Sequence, residues 1–156
     1  MKENPADLNT RDRLQPGHIS LDGFLGKDKR PIADIVAADT GEVEAAGFTT
    51  KQLGDFLESL HQTGDAGWEG RVPAFEGKVT VRSDETLGQI PCPFACGAAC
   101  HKAEVVVKDP DGSDLLRFSP LDAHLIAEHG FFEGQGSPHR IEPKKLIELY
   151  RRCMGE

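Results

Sequence analysis

The sequence predicts a small α+β domain, mainly helical through residues 18–70 and built from a β-hairpin and two helices through 71–156. Three observations predict it. Leu53, Phe56, Leu57 and Leu60 recur at helical spacing. Lys78-Val79-Thr80-Val81-Arg82 alternates polar with apolar, and Val105-Val106-Val107 precedes the strong turn sequence Asp109-Pro110-Asp111-Gly112. Leu146, Ile147, Leu149, Tyr150 and Cys153 make the apolar face of a last helix.

Residues 1–17 are polar and close on Gln15-Pro16-Gly17, which predicts a flexible tail ending in a turn. His18 to Gly26 alternates through Leu21 and is expected as a short strand or an ordered loop. Pro31 to Ala38 fits a short helix opened by proline in its first turn. The next helix is expected from Thr49 or Thr50 to about His61, because a threonine hydroxyl accepts the unpaired amide hydrogens at its start. Gly64 falls where a C-terminal cap would lie, and Gly64 to Gly70 is expected as a loop. Strand character begins near Val72. Ala103–Lys108 and Leu115–Phe118 are expected to pair across the Asp109–Gly112 turn. Ser119 or Asp122 is the expected start of a helix that stops near Gly130, and Pro143 opens the last one.

The chain of 156 residues carries 18 Lys and Arg against 26 Asp and Glu, a net charge of −8. Such a chain gains little from releasing counterions on nucleic acid, so charge disfavours that partner. No apolar run approaches the ~20 residues of a membrane span. The start Met1-Lys2-Glu3-Asn4-Pro5 has neither the basic nor the apolar part of a signal peptide. The expectation is a cytoplasmic chain with no membrane partner, acting on a protein or small molecule, in a compartment that keeps thiols reduced. Arg140, Lys144, Lys145, Arg151 and Arg152 are expected to be a solvated cationic face near a helix C-terminus.

One constellation commits the chain to specific chemistry. Cys92-Pro-Phe-Ala-Cys96-Gly-Ala-Ala-Cys100 is followed by His124-Leu-Ile-Ala-Glu-His129. Tetrahedral zinc takes four N or S donors, usually two short pairs held on different elements, and a cysteine turn beside a histidine helix supplies them. Cys96 and Cys100 have the same spacing as Cys92 and Cys96, so spacing leaves the choice of thiols open, with Cys100 and His101 as alternate ligands. Histidines at i and i+5 are a net ~140° apart on a regular helix, so that helix must tighten or open in its last turn.

These residues, with Leu121 three positions before His124 and Phe118 nearby, resemble a Cys2His2 zinc finger. The resemblance spans residues 92–129 alone. It implies a hairpin carrying Cys92 and Cys96, packed on a helix carrying His124 and His129, around one structural Zn2+. The family puts about a dozen residues between its second cysteine and first histidine; here 27 intervene after Cys96 and 23 after Cys100. The resemblance therefore speaks for the metal site more than for DNA reading. The expected function is a zinc-binding binding or regulatory module.

The alternatives are a nucleic-acid-binding protein, which rests on the finger resemblance and the C-terminal cations and which the net charge opposes, and a small enzyme working at the glycine-rich loop beside the metal, with His101, Glu128, His139 and Arg140 as candidates. His124-x-x-x-Glu128-His129 is one residue longer than the nearest zinc-protease helix pattern, which turns the first histidine by ~100°. Glu128 is thus expected to be solvated and Cys153 to be core. The loop Gly130 to Arg140 contains Ser137, His139 and Arg140, which could bind an anion. It lacks the spacing of a phosphate-binding loop, and no nucleophile motif surrounds Ser137.

Overall fold

A computed structural model describes residues 4–68 and 70–155. Residues 1–3 of the expected tail, Glu69 of the expected loop and the terminal Glu156 lie outside the described residues. The elements are helices α1 (Pro5–Arg13), α2 (Ile32–Ala45) and α3 (Thr50–Asp65), strands β1 (Val72–Ala74), β2 (Val79–Pro91), β3 (Ala99–Lys108) and β4 (Asp114–Phe118), and helices α4 (Pro120–His129) and α5 (Pro143–Met154). The strands form one antiparallel sheet in the order β1-β2-β3-β4. The molecule is a mixed α+β domain, as expected. Among the described residues no helix is long and apolar enough to cross a membrane.

Two apolar clusters hold these layers together. In the first, Leu53, Phe56, Leu57 and Leu60 of α3 meet Val79 and Val81 of β2, Val105 and Val107 of β3, and Leu146 and Ile147 of α5. In the second, Leu14, Phe24, Leu25 and Ile35 meet Leu121, Leu125, Phe131 and Cys92. Each fully buried side chain of this size contributes about 1.5–3 kcal/mol. Helix α4 serves both clusters: Ala123 and Ile126 face the first, Leu121 and Leu125 the second.

Several elements differ from expectation. Pro5–Arg13 is helical rather than a tail: the Asn4 side chain caps it by accepting from the Asp7 amide at 2.8 Å, and Leu14 just past its end is buried. Helix α2 runs seven residues beyond the expected Ala38, to Ala45. Helix α3 begins at the expected threonine, with Thr49 and Gln52 capping reciprocally, but passes through Gly64 to Asp65. Gly64 is not a cap. A Cβ there would lie 3.0 Å from the Ser83 amide nitrogen, so the bare backbone lets β2 pack against the helix. Residues 18–26 take the second of their two expected forms, an ordered loop, with Phe24 and Leu25 buried. Strand β2 continues to Pro91 and β3 starts at Ala99, making one long hairpin with an irregular register between Glu85 and Gln89. The expected β3–β4 hairpin is present, with Val105 opposite Phe118 and Val107 opposite Leu116.

Candidate metal centre

The long hairpin carries its cysteines at the tip, where β2 ends. Cys92 follows Pro91, and its amide donates to the Ala98 carbonyl at 2.9 Å, which closes the tip. The Ala95 amide then donates back to the Cys92 carbonyl at 3.0 Å. Ala95 and Gly97 both take positive φ, 56° and 89°, so the chain curls and returns Cys96 towards Cys92. Arg13 of α1 donates from Nε to the Pro93 carbonyl, tying the curl to the N-terminal helix.

The histidines are delivered by α4, which starts at Ser119. The Ser119 hydroxyl accepts from the Asp122 amide at 3.2 Å, and the Asp122 carboxylate accepts from the Ser119 amide at 3.0 Å. Both expected start residues thus belong to one cap. The far end opens. Gly130 is left-handed at φ 62°, and its amide reaches the carbonyls of both Ile126 and Leu125. The reach back to Leu125 spans five residues and widens the last turn, the change that histidines at i and i+5 need to converge. Their rings lie 5.3 Å apart, centroid to centroid.

The four ligand atoms of Cys92, Cys96, His124 and His129 all fall within 4.8 Å of one another, a group able to hold a metal ion. Cys92 Sγ is 3.4 Å from His129 Nε2, and Cys96 Sγ is 3.3 Å from His124 Nε2. A zinc tetrahedron with bonds of about 2.3 Å to sulfur and 2.0–2.1 Å to nitrogen has S···N edges of about 3.6 Å. The sites are therefore already spaced close to a coordination shell.

Burial shifts two members of this group, Cys92 and His129. It pushes the Cys92 thiol up to about 11, with the Phe94 amide bonding the sulfur and opposing the shift, and Cys96 beside it reinforcing it. Burial likewise lowers His129, and His124 nearby acts in the same direction. Phe94 lies flat on His129, with centroids 4.4 Å apart and planes 8° from parallel, and it packs edge-on against Phe131. Phe94 and Arg13 are supports that the motif alone does not mark; nothing in the spacing of cysteines and histidines signals them.

The other candidates lie elsewhere. Cys100 sits within β3 opposite Ile90 and packs against the second apolar cluster. His101 is exposed opposite Gln89. Neither belongs to the four-atom group. Cys153 is buried in the first cluster, and Glu128 is half-exposed, 4.0 Å from Lys51. All four cysteines are free thiols.

The glycine-rich loop is built inward. Its adjacent phenylalanines divide between the clusters, Phe131 in the second and Phe132 in the first. The Ser137 hydroxyl donates to Glu133 at 2.8 Å. Arg140 donates two bonds of 2.8 Å to the Asp39 carboxylate and one of 2.6 Å to the Glu133 carbonyl. Its side chain is 5% exposed, so it is a buried ion-pair member and not part of a solvated cationic face. His139 is half-exposed, 3.4 Å from Asp22. His139 and Arg140 line a cavity of about 500 Å³ with Phe24, Asp122 and Glu133, while His101 and Glu128 line a separate cleft with His124. The four residues considered for an enzyme are thus split between two cavities. Compared with models of known families, with curated proteins and with solved structures, the chain matches none.

Proposed function

We propose that Cys92, Cys96, His124 and His129 bind one structural Zn2+ and that the protein is a zinc-stapled binding or regulatory module of the cytoplasm. The observation that carries this reading is the convergence of two thiols and two imidazoles within 4.8 Å, from the tip of a hairpin and from one helix. Two sulfurs and two nitrogens are a donor set that zinc favours in structural sites, and four protein ligands complete its tetrahedron. A complete shell leaves no position for substrate or activated water, so the role is to fix the hairpin tip on α4. Four free thiols suit a reducing compartment.

The test is metal analysis joined to thermal melting. One zinc per chain is expected after purification, and chelation should collapse the melting transition, because metal binding and folding are linked with apparent binding free energies of about 10–16 kcal/mol for small zinc domains. Affinity should fall as pH falls, since Cys92 must lose its proton to bind. A metal-free chain that melts at the same temperature as the zinc-loaded one would overturn the reading.

A further inference from the structure

A second group of metal-ligating side chains lies at the C-terminal end of α3, beside strand β2. His61 and Asp65 are four residues apart and share one face of the helix. Glu85 reaches them from β2. One ligand atom from each of the three lies within 4.8 Å of the others.

The surroundings of His61 point to a cation. Its side chain is 10% exposed, and each ring nitrogen faces a carboxylate: Nδ1 lies 3.3 Å from Glu58 Oε1, and Nε2 lies 3.3 Å from Glu85 Oε1. A neutral imidazole donates from one nitrogen only; the other carries a lone pair, which repels a carboxylate oxygen unless a second proton or a metal ion binds there. A metal ion bound to Nε2 and Glu85 removes that repulsion. Nδ1–H then donates to Glu58, the arrangement in which a carboxylate orients a ligating histidine.

Ser83 is the buried neighbour of this group, packed against Gly64 beside Asp65. It lies two residues before Glu85, on the same face of β2, is 2% exposed, and its hydroxyl has no hydrogen-bond partner. A buried hydroxyl with no partner is rare unless a ligand or water completes it. Glu58 and His61 line the same cleft of about 350 Å³ as His101, His124 and Glu128, while Asp65 and Glu85 are exposed to solvent directly.

We infer that His61, Asp65 and Glu85 form a second metal site, selective for an oxygen-preferring divalent transition ion such as Mn2+, with Glu58 as the positioning residue for His61. One imidazole with two carboxylates and no thiolate turns the preference away from the chemistry of the cysteine centre. Two carboxylates also balance the charge of a dication. Three protein ligands leave coordination positions to water, so this site, unlike the four-ligand one, can admit a further ligand.

The experiment titrates the zinc-loaded full chain with Mn2+ alone and follows free Mn2+ by its electron paramagnetic resonance signal. One Mn2+ per chain is expected. Glu85→Gln and Asp65→Asn, both at solvent-reachable positions, should each weaken binding at least tenfold while zinc content and circular dichroism stay unchanged. Absence of Mn2+ binding, or equal binding by wild type and both variants, would overturn the site and leave His61 as a ring bridged by two carboxylates. Neither outcome bears on the cysteine centre, whose zinc is measured separately in the same samples.

Discussion

Cys92 and Cys100 stand at equal distances from Cys96 in the chain, yet the fold treats them differently. Cys92 lies before the curl made by the positive φ of Ala95 and Gly97, and the curl brings Cys96 back to it. Cys100 lies beyond the curl, in ladder register with Ile90, where burial raises its thiol. The proposed zinc should therefore survive Cys100→Ser with full occupancy. Cys92→Ser should lose stoichiometric zinc and most of the chelation-sensitive stability. Metal content of the two purified variants decides this, and equal loss in both would refute the assignment. Phe94→Ala removes the ring stacked on His129 and should weaken zinc retention without abolishing it, measured by competition with a chromophoric chelator. The four members of the group are legible in the sequence as types and spacing. The choice among three thiols is not, because it depends on backbone dihedrals at Ala95 and Gly97. Nor are Arg13 and Phe94, since contacts made across 80 residues, as Arg13 makes with Pro93, leave no periodic trace.

Among the elements, α3 and α4 approach unusually closely where Gly54 meets Ala127. A Cβ on Gly54 would lie 2.4 Å from the Ala127 Cβ and 2.5 Å from its backbone nitrogen. Gly54→Ala would gain about 0.5–1 kcal/mol of helix propensity, but the clash is with backbone and cannot be relieved by a rotamer. Overpacking of this kind costs about 1–3 kcal/mol. A net loss of stability is expected, read as a lower denaturation midpoint, with weaker zinc retention because α4 carries both histidines. An unchanged midpoint with unchanged zinc affinity would contradict the packing argument. Gly130→Ala should also destabilise, since it needs φ 62° and its Cβ would meet Thr40 Oγ1 at 2.8 Å. These contacts also explain what the sequence discloses of the elements. Helices α3, α4 and α5 carry caps or apolar stripes and are legible. The outer half of the β2–β3 hairpin is not, because Ser83 to Gln89 is polar apart from Leu87 and is held to β3 by pairing at Ser83–Glu85 and again at Gln89. Helix α1 is likewise hidden, since its polar residues carry almost no stripe and its anchor is the buried Leu14 beyond its end.

For the molecule as a whole, the loop after α4 is expected to add a pH dependence to folding. It joins the two apolar clusters through Phe131 and Phe132, and then buries Glu133, 2% exposed and at φ 72°, among Asp122, Ser137 and Arg140. Burial pushes the Glu133 carboxyl up to about 10 from an ordinary value of 4.5, with the neighbouring Asp122 adding to it and the Ser137 hydroxyl and Arg140 opposing it. Between these values the folded chain holds a proton that the unfolded chain releases. Stability from this group is therefore complete below 4.5 and declines as pH rises towards the folded value, at up to about 1.4 kcal/mol per pH unit. Asp28 acts in the opposite sense: its bonds with Arg30 hold it well below the usual carboxylate range, so its contribution is present above 3.8 and is lost as pH falls below that value. Glu133→Gln keeps a neutral, hydrogen-bonding side chain and removes the titration. Denaturation midpoints of wild type and variant, both zinc-loaded, should nearly coincide at pH 5, and the variant should be more stable by about 1 kcal/mol or more at pH 8. Protons displaced by zinc cancel in that comparison, because both chains bind it through the same four residues. A difference that is the same at both pH values would mean that Glu133 is ionised in the folded state, held by Arg140 instead of by its proton.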